Sequence, residues 1–232
     1  MAAADQLFTL RGVAKHVAAR YGLDATFMPK PSEDQAGSGL HVDFRLGADA
    51  GASEELDESA LYFIGGLLKH APAATAICNS TVNSYKRLVA AWDAPIYTVW
   101  SARSANALVR VPPGQHPARI EMRSPDAAGN PYLVLAALLG AGADGVAKSI
   151  LPGEPLVGST YDLNEHDRRE RGIGTLPKSL RQAIVELDGD PTVRKALGDH
   201  IYHAFRDAKL AEYERYRRAV HPWERRAYLK IY

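Results

Sequence analysis

The sequence predicts an α+β fold: an antiparallel sheet with helices on one face and a helical C-terminal region. Three observations carry this. Residues 40–46 and 118–123 alternate apolar and polar side chains, the period of a half-buried strand. Residues 5–21 and 57–76 repeat apolar side chains three and four apart, the period of a helix. From about residue 177 onward only helical patterns recur, so the helices are segregated from the strands along the chain. With 46% hydrophobic and 24% charged residues over 232 positions, the chain can bury a substantial core.

Taken in order, Leu7, Leu10, Val13, Ala14 and Val17 form the apolar stripe of a first helix, which Gly22 stops. Residues 25–28 read as a short strand ended by Pro29 and Pro31, and residues 32–39 as a Ser/Asp/Gly-rich connection. Leu40, Val42, Phe44 and Leu46 then define one side of a strand, with His41, Asp43 and Arg45 on the other. Leu61, Ile64, Leu67 and Leu68 mark the second helix, and the polar run from Asn79 to Ala91 reads as irregular. Residues 96–100, 108–111 and 118–123 read as strands. Asn130 and Pro131 open a helix to about Val146 whose Ala/Gly-rich face suits close packing. A polar connection spans 151–174, and a short helix over 177–187 is stopped by Gly189. Asp190 and Pro191 then make an N-cap and first-turn pair. Val193, Leu197, Ile201 and Phe205 continue it as one long helix towards Tyr216.

Composition excludes several function classes. Lys+Arg number 28 against 27 Asp+Glu, a net charge of +1, whereas a dedicated nucleic-acid binder normally shows a basic excess. The single cysteine, Cys78, rules out an intrachain disulfide framework and a thiolate zinc site. No apolar run reaches the roughly 18 residues of a membrane span. The N-terminus lacks the cationic and apolar regions of a signal peptide, so the expected compartment is the cytoplasm.

Polar side chains that could carry chemistry gather in three places. The His41 strand presents His, Asp and Arg on one face, preceded by Gly37-Ser38-Gly39, where glycines permit close backbone approach to a ligand. Glu121 sits between Arg119 and Arg123 on one strand face: either a surface charge ladder, or a cation-binding carboxylate beside anion-binding guanidinium groups. Imidazole with carboxylate suits Mg²⁺ or Mn²⁺ working with phosphate oxygens. The third is Asn83 to Arg87, followed by Asp93, Arg103 and Arg110. Together these compose a site rich in arginine and poor in carboxylates, suited to anionic substrates.

These same stretches resemble signature segments of the glutamine synthetase family. The resemblance is carried by ATFMPKP at 25–31, GSGLH at 37–41 and NSYKRLV at 83–89 with Ala94-Pro95. It continues through WSAR at 100–103, RIEMRSPD at 119–126 and NPYL at 130–133. The segments occur in the family's order, and HPWE at 221–224 fits less specifically.

The resemblance implies the C-terminal part of the family's catalytic domain over residues 1–232. Residues 1–150 would be the sheet and site-bearing part and 151–232 the helical part, with the family's N-terminal β-grasp-like domain absent. It implies an ATP-dependent ligase that activates glutamate, or a similar carboxylate, as an acyl phosphate for attack by ammonia or an amine, assisted by Mg²⁺ or Mn²⁺. By the same resemblance, His41 and Glu121 match ligands of one cation. Arg87 and Arg123 match arginines that hold glutamate or the transferred phosphoryl group. Gly37 matches a glycine whose backbone meets substrate, and Arg110 an arginine at the nucleotide site. Asp93 matches the flap glutamate that binds and deprotonates ammonium, one methylene shorter. Departures from the pattern include Asp43 where the family has histidine, Arg45 where it has serine, Ala36 where it has asparagine and Ala105 where it has arginine.

Two protein ligands are too few for two catalytic cations. The expectation is therefore a ligase subunit that needs a complementary N-terminal chain, or a homo-oligomer. The alternative is a catalytically inactive truncated paralogue acting as a binding or regulatory subunit. Neither a nucleic acid nor a membrane is an expected partner.

Overall fold

A computed structural model describes residues 1–46, 56–114 and 118–232. Helix α1 (Ala2–Arg20) comes first, followed by strand β1 (Val42–Arg45), helix α2 (Glu58–Cys78) and the short helix α3 (Ser84–Arg87). Strands β2 (Trp100–Ser101), β3 (Val109–Arg110) and β4 (Arg119–Met122) lead into α4 (Pro131–Ala147). After a 3₁₀ turn (Thr160–Asp162) come α5 (Glu165–Glu170), α6 (Leu180–Gly189), α7 (Pro191–Leu197), α8 (Asp199–Arg218) and α9 (Pro222–Tyr228). None of the described helices is long and apolar enough to cross a membrane.

The described strands run in the order β1-β4-β3-β2. β4 pairs antiparallel with both β1 and β3, as alternation leads one to expect, but β2 and β3 run parallel, so the sheet is mixed. A parallel pair normally needs a crossover of a dozen residues or more. Here the short 102–108 loop suffices because side chains hold it. Ser101 Oγ accepts from the Arg103 and Ser104 amides at 3.3 and 3.1 Å, and the Val99 carbonyl accepts from Leu108 and Val109. The strand expected over 96–100 is reduced to Trp100–Ser101 plus an isolated bridge between Tyr97 and Thr175.

The core lies where α2 and α4 meet beneath the sheet. Asp57 caps α2 by accepting from the Ala60 amide at 2.7 Å, and Asn130 caps α4 from the Tyr132 and Leu133 amides. Small residues set the helix separation: a Cβ on Gly66 would collide with the Ala141 carbonyl, and one on Gly145 with the Tyr62 carbonyl. Ile64, Leu67, Ile77, Leu138, Leu180, Ile184 and Leu187 are each essentially inaccessible. Ile120 and Met122 of β4 complete the core from the sheet side, sharing the face opposite to that of Glu121, the residue between them.

Four local expectations are corrected. Residues 25–28 form no strand; the segment is held as an irregular run, with Asn83 exchanging hydrogen bonds with the Lys30 backbone at 2.7 and 3.0 Å. The 79–91 run is not wholly irregular, since it contains α3. The long C-terminal helix is two helices, because Gly198 adopts φ 76° between α7 and α8, a conformation that suits glycine. On α1, Leu10, Val13 and Val17 of the apolar stripe are exposed and only Ala4 is buried.

Candidate functional site

Register brings the polar strand faces together. Asp43 lies opposite Glu121, Arg45 opposite Arg119, and Arg110 opposite Glu121. Glu121 is therefore ringed by cations although only 2% of it is exposed. Its Oε1 accepts from Arg123 Nη1 at 2.5 Å and lies 2.8 Å from His41 Nδ1. Its Oε2 accepts from Arg110 Nη2 at 2.8 Å and Nε at 3.1 Å, with Arg119 Nη2 at 3.6 Å. Burial alone would raise the Glu121 pKa, but the Arg110 hydrogen bonds and the Arg123 charge outweigh it and hold the carboxyl ionised below its usual range. His41 shifts the other way: burial and the neighbouring Arg123 charge lower its pKa, against the pull of Glu121, so the imidazole is neutral at pH 7.

Arg87 is placed by α3 and by the chain that follows β4. Its Nη2 donates to the Ser124 and Pro125 carbonyls, both at 2.8 Å, which fixes the guanidinium of a residue that is only 7% exposed. Asn79 secures the same stretch by donating to the Ser124 carbonyl at 2.8 Å and to Asp126 Oδ2 at 3.1 Å. The glycine loop crosses directly over Arg87. Ser38 donates to the Pro29 carbonyl at 2.8 Å, and a Cβ at Gly37 would strike that carbonyl and the Arg87 side chain. Only glycine permits this approach.

These groups enclose a cavity of about 120 Å³ lined by Gly37, His41, Arg87, Asp93 and Arg123, together with Lys30 and Trp92. Asp93 reaches the rim on a turn closed by a 3.1 Å hydrogen bond from the Ala94 amide to the Ala91 carbonyl. The two residues inside that turn, Trp92 and Asp93, have φ of 56° and 54°. Left-handed conformations at non-glycine residues cost of order 1–3 kcal/mol each and persist only where their surroundings hold them.

The cavity thus gathers five residues singled out in the sequence: Gly37, His41, Arg87, Asp93 and Arg123. Glu121 underlies it, and Arg110 sits behind Glu121 rather than on the cavity wall. Arg103 takes no part in this cavity. Three participants escape the sequence reading. Lys30 lines the cavity with its ammonium 5.4 Å from the Trp92 ring centroid; it lies within the ATFMPKP segment but carries no role in the sequence reading. Trp92 carries no signal beyond its neighbour Asp93. Tyr161 donates to the carbonyls of Ala91 and Ala94 from within a segment that reads as a polar connection.

As a cation site the donor set is half complete. The neutral His41 imidazole and the ionised Glu121 carboxylate are adjacent, an N and O pair suited to Mn²⁺ or Mg²⁺. Among the described residues no group of three or more His, Cys, Asp or Glu gathers that could hold a metal ion unaided. As an anion site it is rich in cations: Arg110, Arg119 and Arg123 face one buried carboxylate whose oxygens are already engaged, and Arg87, held by backbone carbonyls, lines the cavity with Arg123.

The chain matches known proteins along nearly its whole length. The glutamine synthetase catalytic-domain family model matches residues 1–228. The glutamine synthetase of Methanosarcina mazei is 42% identical over 98% of this chain and 53% of its own length. That of Thermus thermophilus is 41% identical over 99% and 53%, and that of Halobacterium salinarum 43% identical over 98% and 52%. The chain therefore spans about half the length of the curated relatives it matches. Among solved structures, a GmaS–ADP complex superposes with a TM-score of 0.84 at 33% identity, covering 98% of this chain and 54% of that one. Ligand-free GmaS gives a TM-score of 0.79 at 36% identity. With a family model matched along nearly the whole chain, and relatives above 40% identity, the chain belongs to the glutamine synthetase catalytic-domain family.

Proposed function

We propose that the chain is the C-terminal half-site of a glutamine synthetase-like ligase, joining glutamate or a similar carboxylate to ammonia or an amine at the expense of ATP. The observation that carries this reading is that two fixed guanidinium groups, Arg87 and Arg123, line a small cavity, the first held by backbone carbonyls and the second by Glu121, whose oxygens are already engaged. Such a site binds anions and stabilises charge that develops on a carboxyl or phosphoryl oxygen. Arg87 and Arg123 would orient the carboxylate and its acyl phosphate. Gly37 would let backbone approach them, and Arg110 would serve the nucleotide side. Asp93 on the rim would bind the nitrogen nucleophile and accept its proton.

His41 and Glu121 would hold one divalent cation with further ligands from outside this chain; when bound, such a cation neutralises phosphate charge during transfer. The missing ligands motivate a complementary chain or a second copy. β1 is the natural seat for it, because it lies at one end of the described strand order and carries His41 at its entry. In this division residues 1–150 bear the sheet and site, and 151–232 form a helical buttress. The relatives' names leave the acceptor open: glutamine synthetases imply ammonia, whereas GmaS is a γ-glutamylmethylamide synthetase.

Mixing the chain with the N-terminal half of a family member and following γ-glutamyl amide and orthophosphate tests the reading. ATP-dependent turnover that is lost in Arg123→Ala supports it. A stable complex without turnover favours the inactive binding or regulatory subunit, for which Asp43 at a family histidine position is the motivating residue.

A further inference from the structure

We propose that Tyr161 is a positioning residue for Asp93, its phenol bracing the turn that presents the acid to the cavity. The observation is geometric. Trp92 and Asp93 both have positive φ, and the residues that bracket them are Ala91 and Ala94. The Tyr161 hydroxyl shares its single proton between the bracketing carbonyls, chiefly with Ala94 at 2.9 Å and more weakly with Ala91 at 3.3 Å. One phenol therefore spans the base of a turn whose two central residues sit in a region that favours Gly, Asn and Asp. Tryptophan has no such preference, so external contacts must hold the conformation.

The brace itself has a firm footing. The Thr160 amide donates to Asn106 Oδ1 at 3.0 Å, Asn106 Nδ2 donates to Ser159 Oγ at 2.9 Å, and the Tyr161 amide donates to Ser159 Oγ at 3.2 Å. Thr160 is fully buried. On the opposite side the Lys30 ammonium lies over the Trp92 ring and donates to the Gln35 carbonyl. The turn is thus held from the 3₁₀ segment below and from the Pro29–Pro31 segment beside it. Burial, with the nearby Asp93 charge, raises the Tyr161 pKa, so the phenol stays protonated and able to donate.

Part of the test rests on the ligase reading and part does not. In the full chain, Tyr161→Phe keeps the ring and removes only the donor. Hydrogen exchange of the 89–94 amides should then quicken roughly five- to tenfold, the loss of about one hydrogen bond. Exchange in α4 should be unchanged. Unaltered protection of 89–94 overturns the brace. In the reconstituted mixture, Tyr161→Phe should raise KM for the nitrogen nucleophile and lower kcat while leaving KM for the carboxylate in place. A fall in kcat with every KM unmoved overturns the positioning role. If the wild-type mixture shows no turnover, the ligase reading fails and the exchange measurement alone decides the brace.

Discussion

Two charge clusters sit in this molecule, and they are built in opposite ways. Among the packed helices, His70 of α2 lies between Asp190, the N-cap of α7, at 2.6 Å and Asp144 of α4 at 3.0 Å. Both imidazole nitrogens face carboxylate oxygens, so only the doubly protonated ring can donate to both. Burial opposes that charge, yet the hydrogen bonds to Asp190 and Asp144 outweigh it and raise the His70 pKa. Lys148 offsets the second carboxylate at 2.6 Å from Asp144. The cluster is closed and neutral. At the sheet, by contrast, three guanidinium groups (Arg110, Arg119 and Arg123) surround Glu121, and a cavity lined by Arg123 and Arg87 opens beside them. The first cluster satisfies itself; in the proposed reading the second leaves Arg87 and Arg123 beside a cavity for an anionic substrate.

The sharpest way to break the comparison is to remove the closed cluster's centre. His70→Leu leaves the largely buried Asp190 without its cationic partner and Asp144 with Lys148 alone, and should cost about 3–5 kcal/mol in chemical denaturation. Anion binding at the sheet should survive in the folded fraction. Glu121→Gln should cost about 2–3 kcal/mol, because several charge-assisted hydrogen bonds weaken at once. Unlike the His70 change, it should tighten inorganic phosphate binding by isothermal titration, since the guanidinium surplus grows.

The pH dependence separates the clusters further. His70 has a raised folded pKa, so its stabilisation is complete below the ordinary imidazole value of about 6.5 and is lost as pH rises through the folded value. Asp144 and Asp190 are each pushed up by burial but held lower overall, chiefly by hydrogen bonds from Lys148 and from His70 respectively. Their contribution is present above about pH 4 and is lost as pH falls through the lowered values. Thermal unfolding from pH 6 to 10 should show an alkaline loss in wild type that His70→Leu abolishes. The smallest effect belongs to the rim pair: Asp43 lies 3.4 Å from Arg119 with both side chains partly exposed, and Asp43→Asn should change stability by about 0–1 kcal/mol.

The site face is legible in the sequence because strand alternation fixes which side chains share a side. His41 and Glu121 fall together once β1 and β4 pair, and the pairing follows from the apolar positions Phe44, Ile120 and Met122. Helix ends are legible where cap chemistry is local, as at Asp57, Asn130 and Asp190. What escapes depends on distant contacts. The parallel β2–β3 pair is set by hydrogen bonds inside the 102–108 loop, not by any period in two-residue strands. The break at Gly198 is hidden by apolar spacing that runs straight through it. The links from Tyr161 to Ala94 and from His70 to Asp190 span 67 and 120 positions, and no local pattern announces either.

The proposal that the sheet cluster binds anions is tested most directly by thermal unfolding with inorganic phosphate at constant ionic strength. A ligand at about ten times its dissociation constant adds about 1.4 kcal/mol, or roughly 3–6 °C for a chain of this size. Wild type should show that rise, Arg123→Gln should lose it, and His70→Leu should keep the increment on a lower baseline. No rise in wild type, or an equal rise in Arg123→Gln, would contradict the account.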